Sequence, residues 1–345
     1  MSENAPARAD IDFEPAKLRA FLADAVPQAS GPLKLQRIGG GQSNPTYFVD
    51  TAGERMVLRK RPPGEHVRGA HDVGREYRIL SALYGTPVPV PKPILYREET
   101  DVVGTPFYLM GCVAGRVFDD AALPEVPKEQ RRAYYLEFSR VLAALHAVDV
   151  DTVGLGSFRR PDRYLVRQLS IWTRQWGDLV ETDRDVARVV GWLRDHLPED
   201  EESAIVHGDY KINNVIYAPE GPGLAAVIDW ELCTVGDPLV DLAHVWSFMW
   251  ETTLDEYGGM MGKDFAALGL PTAVEFFDDY YAHAQSDRRL TPYHFVFAHF
   301  RNAGIFHGIA QRAAAGSANA GNAAEKGKLD RVYLGRALAA IDRFG

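Results

Sequence analysis

Residues 205–214 read IVHGDYKINN, and residues 226–231 read AVIDWE. Asp209 follows a short apolar run and lies five residues before Asn214, and Asp229 ends a second apolar run. Transfer of a phosphoryl group from a nucleotide needs a carboxylate near the attacking hydroxyl and oxygen ligands for Mg²⁺. Asp209 suits the first task, and Asn214 and Asp229 suit the second. The spacing Asp-x-x-x-x-Asn is that of the kinase catalytic loop.

These stretches also resemble a known family. HGDYKINNVIY followed by AVIDWELCTVGDPLVDLAHV is similar to the aminoglycoside phosphotransferase and choline kinase superfamily, the small-molecule branch of the kinase-like fold. Within this superfamily, the run most resembles the kinase-like domains fused to some acyl-CoA dehydrogenases. The similarity is densest over residues 38–113 and 205–245.

The resemblance implies a fold class and a division of the chain. We expect an α+β, bilobal protein-kinase-like fold. The N-lobe, residues 1–113, would hold a five-stranded antiparallel sheet with helices and would bind the nucleotide. The C-lobe, residues 114–345, would be mainly α-helical and would hold the catalytic loop, the metal and the acceptor substrate.

Composition bounds the class of protein. The 345 residues are 46% hydrophobic and 25% charged, which fits a soluble globular protein of two lobes with a sizeable core. The net charge of −9 argues against a nucleic-acid binder, which needs a basic face. Cys112 and Cys233 show no disulfide or metal-binding spacing, and no apolar run approaches the roughly 20 residues that span a bilayer. We therefore expect a cytoplasmic protein, a monomer or homodimer, with no membrane or nucleic-acid partner.

The hydrophobic pattern predicts the elements of both lobes. Strands are expected at residues 33–38, 46–50, 55–60, 94–97 and 107–110. Helices are expected at residues 14–26, 70–83, 128–148, 165–176, 185–197, 238–250 and 329–344. The first third of the chain is therefore rich in strands, and the remainder is helical.

A glycine-rich stretch, GGGQSN at residues 39–44, separates the first two predicted strands. Glycines let a backbone approach phosphates closely, and Ser43 and neighbouring N–H groups can donate to phosphate oxygens. Gly40, Gly41 and Ser43 are therefore candidate nucleotide contacts. The alternative is a plain hairpin turn, because three glycines alone carry little information.

The third predicted strand ends in two basic residues, Arg59 and Lys60. Adjacent strand residues point to opposite faces, so only one of them can face the nucleotide. The resemblance aligns Arg59 with the Lys of protein kinases that grips the phosphates, and Lys60 is the fallback. The implied partner of Arg59 is Glu76, on the helix predicted at residues 70–83. The alternatives are an exposed basic strand end and an ordinary solvated Glu.

The link after the fifth predicted strand, MGCVAG at residues 110–115, changes from apolar strand to glycine-spaced chain. In the kinase-like fold this link is the hinge, whose backbone groups read the base edge of the nucleotide. The resemblance therefore assigns Met110 and Cys112 to nucleotide binding. Backbone contacts leave no side-chain signature, so ATP and GTP both stay open.

Each residue of the catalytic loop has an expected role. Asp209 would accept or orient the proton of the substrate hydroxyl. Lys211 would offset the charge that develops on the transferred phosphoryl group. Asn214 and Asp229 would hold Mg²⁺. His207 is expected to be structural, its ring bonding nearby backbone to hold the loop.

Further candidates lie C-terminal to the metal ligands. Glu231 could support a second metal or contact the substrate. By resemblance, Asp241 braces the catalytic loop through backbone N–H groups; the alternative is a helix-surface carboxylate. In this superfamily the acceptor pocket is built from the late helices, so Trp246, Arg301 and His307 are candidate substrate contacts. Helix-spaced aromatics are nevertheless usually core, which is the default interpretation.

The sequence thus predicts a small-molecule kinase that transfers the γ-phosphoryl group of ATP, or of GTP, to a substrate hydroxyl with Mg²⁺. Residues 293–312 are aromatic and basic and include no Asp or Glu, which favours an uncharged or anionic acceptor such as a hydroxyacyl-CoA or a hydroxy acid. The alternatives are an aminoglycoside O-phosphotransferase and a non-catalytic, nucleotide-binding pseudokinase scaffold. A protein kinase is disfavoured, because no Ala-Pro-Glu segment follows Asp229 and the connection to Asp237 is too short for a peptide-binding segment.

Overall fold

The computed structural model describes residues 11–39, 44–64, 71–314 and 323–344. The predicted phosphate contacts Gly40, Gly41 and Ser43 lie outside these residues. The chain forms two compact units, one of Met1–Gly85 with Val90–Ala114 and one of Thr86–Pro89 with Gly115–Gly345. Each unit has its own hydrophobic core.

The first unit is built on an antiparallel sheet. Its strands, in the described ranges, are β1 Lys34–Arg37, β2 Thr46–Asp50, β3 Arg55–Lys60, β4 Pro93–Arg97 and β5 Phe107–Gly111, and they lie in the order β1-β2-β3-β5-β4. Two helices, α1 Pro15–Ala25 and α2 Val73–Leu83, belong to the same unit. These are the strands and helices that the sequence pattern predicts, with ends shifted by a few residues.

The side chains of strand β3 alternate between the two faces of the sheet. Met56 and Leu58 are fully buried and belong to one cluster with Leu18 of α1. Side chains alternate along a strand, so Lys60 shares the face of these two residues. Arg59 points to the opposite face, where it meets a residue of α2. The alternation therefore gives the two basic residues at the end of β3 different surroundings.

Helix α2 begins at Val73 rather than at residue 70. His71 has a positive φ of 58°, which is incompatible with a right-handed helix. Asp72 then caps the helix, because its side chain accepts the Arg75 N–H at 2.9 Å. The cap sets the start of the helix whose first turn carries Glu76.

The second unit is mainly helical. Its helices, within the part of the chain that the structure describes, are α3 Lys128–His146, α4 Tyr164–Arg174, α5 Leu179–Thr182, α6 Arg184–Asp195, α7 Leu239–Met249, α8 Leu254–Tyr257, α9 Phe265–Leu268, α10 Ala273–His283, α11 Pro292–Ala314, α12 Ala323–Gly327 and α13 Leu329–Phe344. Two short antiparallel ladders pair β6 Ala204–Val206 with β9 Thr234–Gly236, and β7 Val215–Tyr217 with β8 Leu224–Val227. No helix among the described residues has the length and apolar character needed to cross a membrane.

Helices α7 and α11 contribute many buried residues to the interior of the second unit. Helix α11 buries the aromatic residues Tyr293, Phe297, Phe300 and Phe306 in one cluster with residues of α4, α6 and α13. Helix α7 is buried at every position, which is the pattern of a helix that runs through a protein interior. Polar side chains on α7 are therefore inside the unit and need partners there.

Candidate active site

Two short ladders position the catalytic loop. Strand β6 ends at Val206, and β7 begins at Val215 after a single 3-10 turn. Gly208 turns the chain between them with a φ of +84°, and a Cβ at this position would lie 2.7 Å from the carbonyl oxygen of Leu232. A residue with a side chain would be both strained and crowded here, which is why the loop needs glycine before Asp209.

Asp241 of the buried helix α7 holds this loop by its backbone. Its carboxylate accepts the N–H of His207 at 2.6 Å and that of Gly208 at 2.8 Å. Nε2 of His146 lies 3.3 Å from the same carboxylate, which is fully buried. Burial raises the pKa of Asp241, but the hydrogen bond and charge of His146, with His207 and the Gly208 N–H, outweigh it and lower the pKa. These contacts hold the backbone of the loop against α7.

The ring of His207 ties the loop to the second motif. Its Nε2 lies 3.0 Å from the carbonyl oxygen of Ile228, and its Nδ1 accepts the Asp209 N–H at 3.2 Å. Because Nδ1 accepts, Nε2 carries the ring proton and donates to the carbonyl oxygen. His207 thus connects residues of the HGD and VID stretches through backbone groups.

The Asp209 carboxylate is held by three side chains. Oδ2 lies 2.8 Å from Nζ of Lys211 and accepts the Asn214 amide at 2.9 Å. Oδ1 lies 3.1 Å from Nε2 of His244. Burial raises the pKa of Asp209, but the Lys211 charge and the His244 hydrogen bond outweigh burial and hold the pKa well below its usual range. The carboxylate is therefore ionised at neutral pH and fixed in orientation.

Asn214 and Asp229 meet at the end of the β7–β8 ladder. The Ile228 N–H donates to the carbonyl oxygen of Asn214 at 2.9 Å, and Asp229 is the next residue. Asp229 adopts the left-handed conformation, with φ 66° and ψ 61°. Such a conformation costs roughly 1–3 kcal/mol in a residue other than glycine and is common at functional sites.

The donor set at Asn214 and Asp229 fits Mg²⁺. Nδ2 of Asn214 donates to the backbone and side-chain oxygens of Asp209, so its amide oxygen points away from that residue. Amide and carboxylate oxygens are ligands that Mg²⁺ prefers. Among the described residues, no group of three or more His, Cys, Asp or Glu side chains could hold a metal alone.

A cluster of cations and aromatic rings adjoins the catalytic loop, and we name it the Tyr257 patch. It consists of Lys211, Phe248, Tyr257 and Lys326. The Lys211 ammonium lies 5.7 Å from the Phe248 ring centroid and 5.5 Å from that of Tyr257. The Lys326 ammonium lies 4.2 Å from the same Tyr257 ring. The ring faces stabilise both ammonium groups. The Lys211 charge is paired with Asp209, and Lys326 adds a second positive charge on the Tyr257 ring.

Of the candidate substrate residues, Arg301 contacts the catalytic loop directly. It is buried, and its Nη1 lies 2.6 Å from Nδ1 of His244. Its Nη2 donates to the carbonyl oxygen of Gly208. Glu231 lies in the short turn that directly follows Asp229. Arg301 is thus close to the catalytic loop in space, and Glu231 is close to Asp229 in sequence.

The other two candidates lie in the aromatic core of the unit. Trp246 is buried, with its ring centroid 4.7 Å from that of Phe295. His307 stacks on Trp176 at 4.4 Å, and its Nδ1 lies 2.9 Å from Asp330. These contacts of Trp246 and His307 are with residues of the core and not with the catalytic loop.

Sequence reasoning misses His244, which bridges Asp209 and Arg301. The available signal is its position three residues after Asp241, because residues at that spacing share one helix face. The ring is 1% exposed. Burial, followed by the charge of Arg301, lowers the pKa of His244 to about 4, so the ring is neutral at neutral pH.

In the first unit, Arg59 and Glu76 form an ion pair. Nε of Arg59 lies 2.9 Å from Oε2 of Glu76. The Tyr108 O–H donates to the same oxygen at 3.0 Å, and the Asn44 amide donates to Oε1 at 2.7 Å. Asn44 is another residue that sequence reasoning does not single out, although it closes the glycine-rich stretch. The buried Glu76 carboxylate thus links Arg59 at the end of β3, Tyr108 of β5 and the loop residue Asn44.

The segment assigned to the hinge continues strand β5. Met110 pairs with Val57 in the sheet, and the strand ends at Gly111. The Cys112 N–H donates to the carbonyl oxygen of Arg55 at 3.3 Å, which extends the pairing by one residue. The backbone of Met110 and Cys112 is therefore anchored to β3.

Comparison with known proteins identifies the class. A family model described as the phosphotransferase enzyme family matches residues 34–293. The chain belongs to this phosphotransferase enzyme family. It is 36% identical over 336 residues to acyl-CoA dehydrogenase family member 11 of Gallus gallus, covering 94% of this chain and 43% of that protein. The chain thus spans less than half of the length of this relative.

Solved structures agree with the family. A Ralstonia eutropha JMP134 protein named as an aminoglycoside phosphotransferase has a TM-score of 0.85 and 35% identity, covering 96% of this chain and 99% of that chain. A thermostable mutant of aminoglycoside phosphotransferase APH(4)-Ia, in a ternary complex with AMP-PNP and hygromycin B, has a TM-score of 0.59 and 17% identity, covering 94% and 98%. These comparisons confirm the predicted fold class, a bilobal kinase-like α+β fold, and the predicted superfamily.

Proposed function

We propose that this phosphotransferase moves the γ-phosphoryl group of ATP to the hydroxyl group of a small molecule and requires Mg²⁺. The observation that carries the proposal is the contact between Asp209 and Asn214, with Asp229 beside them. This contact puts a fixed carboxylate for the nucleophile next to two oxygen ligands for the metal. GTP remains an alternative nucleotide, because the proposed hinge reads the base through its backbone.

In the proposed reaction, the bond from the acceptor oxygen to phosphorus forms as the bond from phosphorus to the β–γ bridging oxygen breaks. Asp209 accepts the hydrogen bond of the acceptor hydroxyl and receives its proton as the new bond forms. A carboxylate with so low a pKa is a weak base, so its main contribution is orientation of the nucleophile. Lys211 offsets charge on the transferred group. Mg²⁺, when held by Asn214 and Asp229, neutralises charge on the phosphates.

The first unit would bind the nucleotide, in keeping with the proposed division at residues 113 and 114. Arg59 can present its planar guanidinium to phosphate oxygens, and Glu76 limits its rotation. The further nucleotide contacts that we propose are Gly40, Gly41, Ser43, Met110 and Cys112. The ordered pair at the end of β3 supports this assignment, because a pre-oriented cation loses less entropy on binding.

For the acceptor, we propose a molecule with an anionic group, such as a hydroxyacyl-CoA or a hydroxy acid. The Tyr257 patch holds the ammonium groups of Lys211 and Lys326 on one ring. Such a surface attracts a carboxylate or phosphate and repels a polycationic aminoglycoside. The similarity to acyl-CoA dehydrogenase family member 11 supports the same acceptor class.

A second candidate, an aminoglycoside O-phosphotransferase, is favoured by one observation. The Ralstonia eutropha structure, at 35% identity, carries the name of an aminoglycoside phosphotransferase. The two candidates differ in the charge of the acceptor. They are therefore distinguished by which acceptor is phosphorylated rather than by nucleotide binding.

The test is phosphoryl transfer from ATP to a panel of hydroxyacyl-CoAs, hydroxy acids, sugars, choline and aminoglycosides, with product detected by mass spectrometry. Reactions with Mg²⁺ are compared with reactions in EDTA. We expect an anionic acceptor to be phosphorylated, and Asp209→Asn, which keeps the size of the side chain, to lower kcat by about 10²–10⁴-fold. An aminoglycoside product would establish the second candidate. Nucleotide binding without product across the panel would favour a scaffold, and the absence of nucleotide binding would overturn the proposal.

A further inference from the structure

A buried chain of contacts runs from Arg301 through His244 to Asp209. Nη1 of Arg301 lies 2.6 Å from Nδ1 of His244, and Nε2 of His244 lies 3.1 Å from Oδ1 of Asp209. Arg301 is 5% exposed and His244 is 1% exposed. The three residues come from α11, α7 and the catalytic loop, so the chain of contacts links the interior of the second unit to its reactive carboxylate.

The donors and acceptors in this chain follow from the chemistry of the groups. A guanidinium has only donors, so Nδ1 of His244 accepts the hydrogen bond from Arg301. An imidazole that accepts at Nδ1 carries its single proton on Nε2. That N–H faces Oδ1 of Asp209, an ionised carboxylate that can only accept. Arg301 therefore fixes the tautomer that His244 needs in order to donate to Asp209.

A charged His244 would break this arrangement. Protonation at Nδ1 would place two cationic donors 2.6 Å apart in a buried position. Burial and the charge of Arg301 lower the pKa of His244 to about 4, which agrees with a neutral ring. The proton on Nε2 is thus assigned by geometry and is supported by electrostatics.

The contacts of Asp209 also indicate which oxygen receives the acceptor hydroxyl. Among the described residues, Lys211 and Asn214 donate to Oδ2, whereas His244 donates to Oδ1. A carboxylate has about four lone-pair sites, two on each oxygen. The remaining site is therefore on Oδ1, and the direction of the His244 N–H decides where it points.

We propose that Arg301 and His244 are positioning residues for phosphoryl transfer, in which Arg301 selects the Nε2–H tautomer of His244 and His244 aims the open lone pair of Oδ1 at the acceptor hydroxyl. This inference rests on the proposed function. It gives Arg301 a role behind the catalytic carboxylate instead of a contact with substrate. The second hydrogen bond of Arg301, to the Gly208 carbonyl oxygen, holds the residue before Asp209 in the same frame.

Kinetics of His244 variants test the first half of the proposal. His244→Gln can place an amide N–H near the position of Nε2, whereas His244→Phe keeps a ring and removes the donor. We expect His244→Phe to lower kcat by roughly 10–100-fold with KM for ATP changed by less than about twofold, because orientation and not nucleotide binding is lost. His244→Gln should recover most of the kcat.

His299→Phe is the matched control. His299 of α11 is also 1% exposed, and its Nδ1 lies 3.0 Å from Oγ of Ser247. Its substitution should lower the thermal midpoint as His244→Phe does, but leave kcat unchanged. Equal losses of kcat in the two Phe variants, or a wild-type kcat in folded His244→Phe, would overturn the positioning role.

The second half of the proposal, that Arg301 selects the tautomer of His244, is tested by measuring that tautomer. ¹⁵N NMR of histidine-labelled protein reports which ring nitrogen carries the proton, and the His244 signals are assigned by their loss in His244→Gln. We expect Nε2–H in the wild type and in Arg301→Lys, and a mixture of tautomers in Arg301→Met. An unchanged tautomer in Arg301→Met would overturn the inference. This measurement needs no turnover, so it is decisive even if the acceptor panel gives no product, a result that counts against the proposed function instead.

Discussion

Nε of Arg59 lies 2.9 Å from Oε2 of Glu76, and this contact joins the end of β3 to the first turn of α2. The neighbouring Lys60 points to the other face of the sheet, where its ammonium lies 2.8 Å from Oδ2 of Asp12 and its side chain is 1% exposed. The Arg59 side chain keeps 15% of its surface exposed. Two adjacent cations therefore differ in whether a ligand can reach them.

We predict that Arg59 and Lys60 variants separate nucleotide binding from stability. Arg59→Ala should raise KM for ATP by about 10–100-fold, because it removes a charge-assisted, bidentate phosphate contact. Lys60→Met should leave KM for ATP near the wild-type value and lower the free energy of unfolding by about 1–3 kcal/mol, because it breaks a partly buried ion pair. Steady-state kinetics and urea unfolding of both variants provide the measurement. If Lys60→Met instead raised KM for ATP and Arg59→Ala lowered only the free energy of unfolding, the phosphate contact would be assigned to Lys60.

A second prediction concerns Gly208, whose φ of +84° turns the chain into the catalytic loop. Gly208→Ala should destabilise the protein by about 1–3 kcal/mol, since a Cβ meets the Leu232 carbonyl oxygen at 2.7 Å and the backbone is strained. Because the next residue is Asp209, kcat should fall more than KM for ATP rises.

The control for Gly208 is Gly221→Ala. Gly221 has a φ of +74°, but nothing lies within 4 Å of the Cβ that would be added. Thermal melts and kcat of the two variants separate backbone strain from the close contact. If Gly221→Ala lost as much kcat as Gly208→Ala, the contact with Leu232 would not be what shapes the loop.

The fold could be predicted from the sequence because its signals are local. Alternation along β3 separates Arg59 from Lys60, and helical spacing marks the buried aromatic residues of α11. The start of α2 was predicted three residues too early, because the positive φ of His71 and the Asp72 cap override the apolar pattern. Element ends depend on such single residues, whereas element types depend on many.

The chemistry around Asp209 was only half predictable. Lys211 and Asn214 lie within five residues of it, so their contacts with its carboxylate follow from a local motif. His244 reaches the same carboxylate from α7, and Arg301 contacts His244 from α11. Both residues lie far along the chain from Asp209, so no local motif links them to it. For Trp246 and His307, position on a late helix does not distinguish a core residue from a substrate contact, so their assignment as substrate contacts stays a prediction.

The third prediction addresses the Tyr257 patch. Lys326→Glu should raise KM for an anionic acceptor by about 5–50-fold while changing KM for ATP by less than about twofold, because a like charge is placed on the acceptor side. The effect should weaken as salt is raised, since exposed charges are screened. Lys328→Glu is the control, because Lys328 lies in the turn directly after α12 and is paired with Glu325. Equal effects of the two substitutions would mean that net charge, and not the patch, governs acceptor binding.

The fourth prediction concerns the buried brace at Asp241. Asp241→Asn keeps the shape of the side chain but loses one of the two oxygens that accept the His207 and Gly208 N–H groups. An unpaired buried donor costs roughly 1–3 kcal/mol, so we expect a destabilisation of that size and a fall in kcat as the loop loosens. Urea unfolding at pH 7 and steady-state kinetics measure the two effects.

The same substitution should also change how stability depends on pH. The folded-state pKa of Asp241 is lowered from its ordinary value of 3.8, because the His146 hydrogen bond and the loop contacts outweigh burial. The unfolded state then binds more protons in this range, so the stabilisation is present above about pH 4 and is lost as pH falls through the folded pKa. The gap in unfolding free energy between wild type and Asp241→Asn should therefore shrink as pH is lowered from 5 to 3. A gap that stays constant over this range would show that the carboxylate charge contributes nothing and that only the shape of the side chain holds the loop.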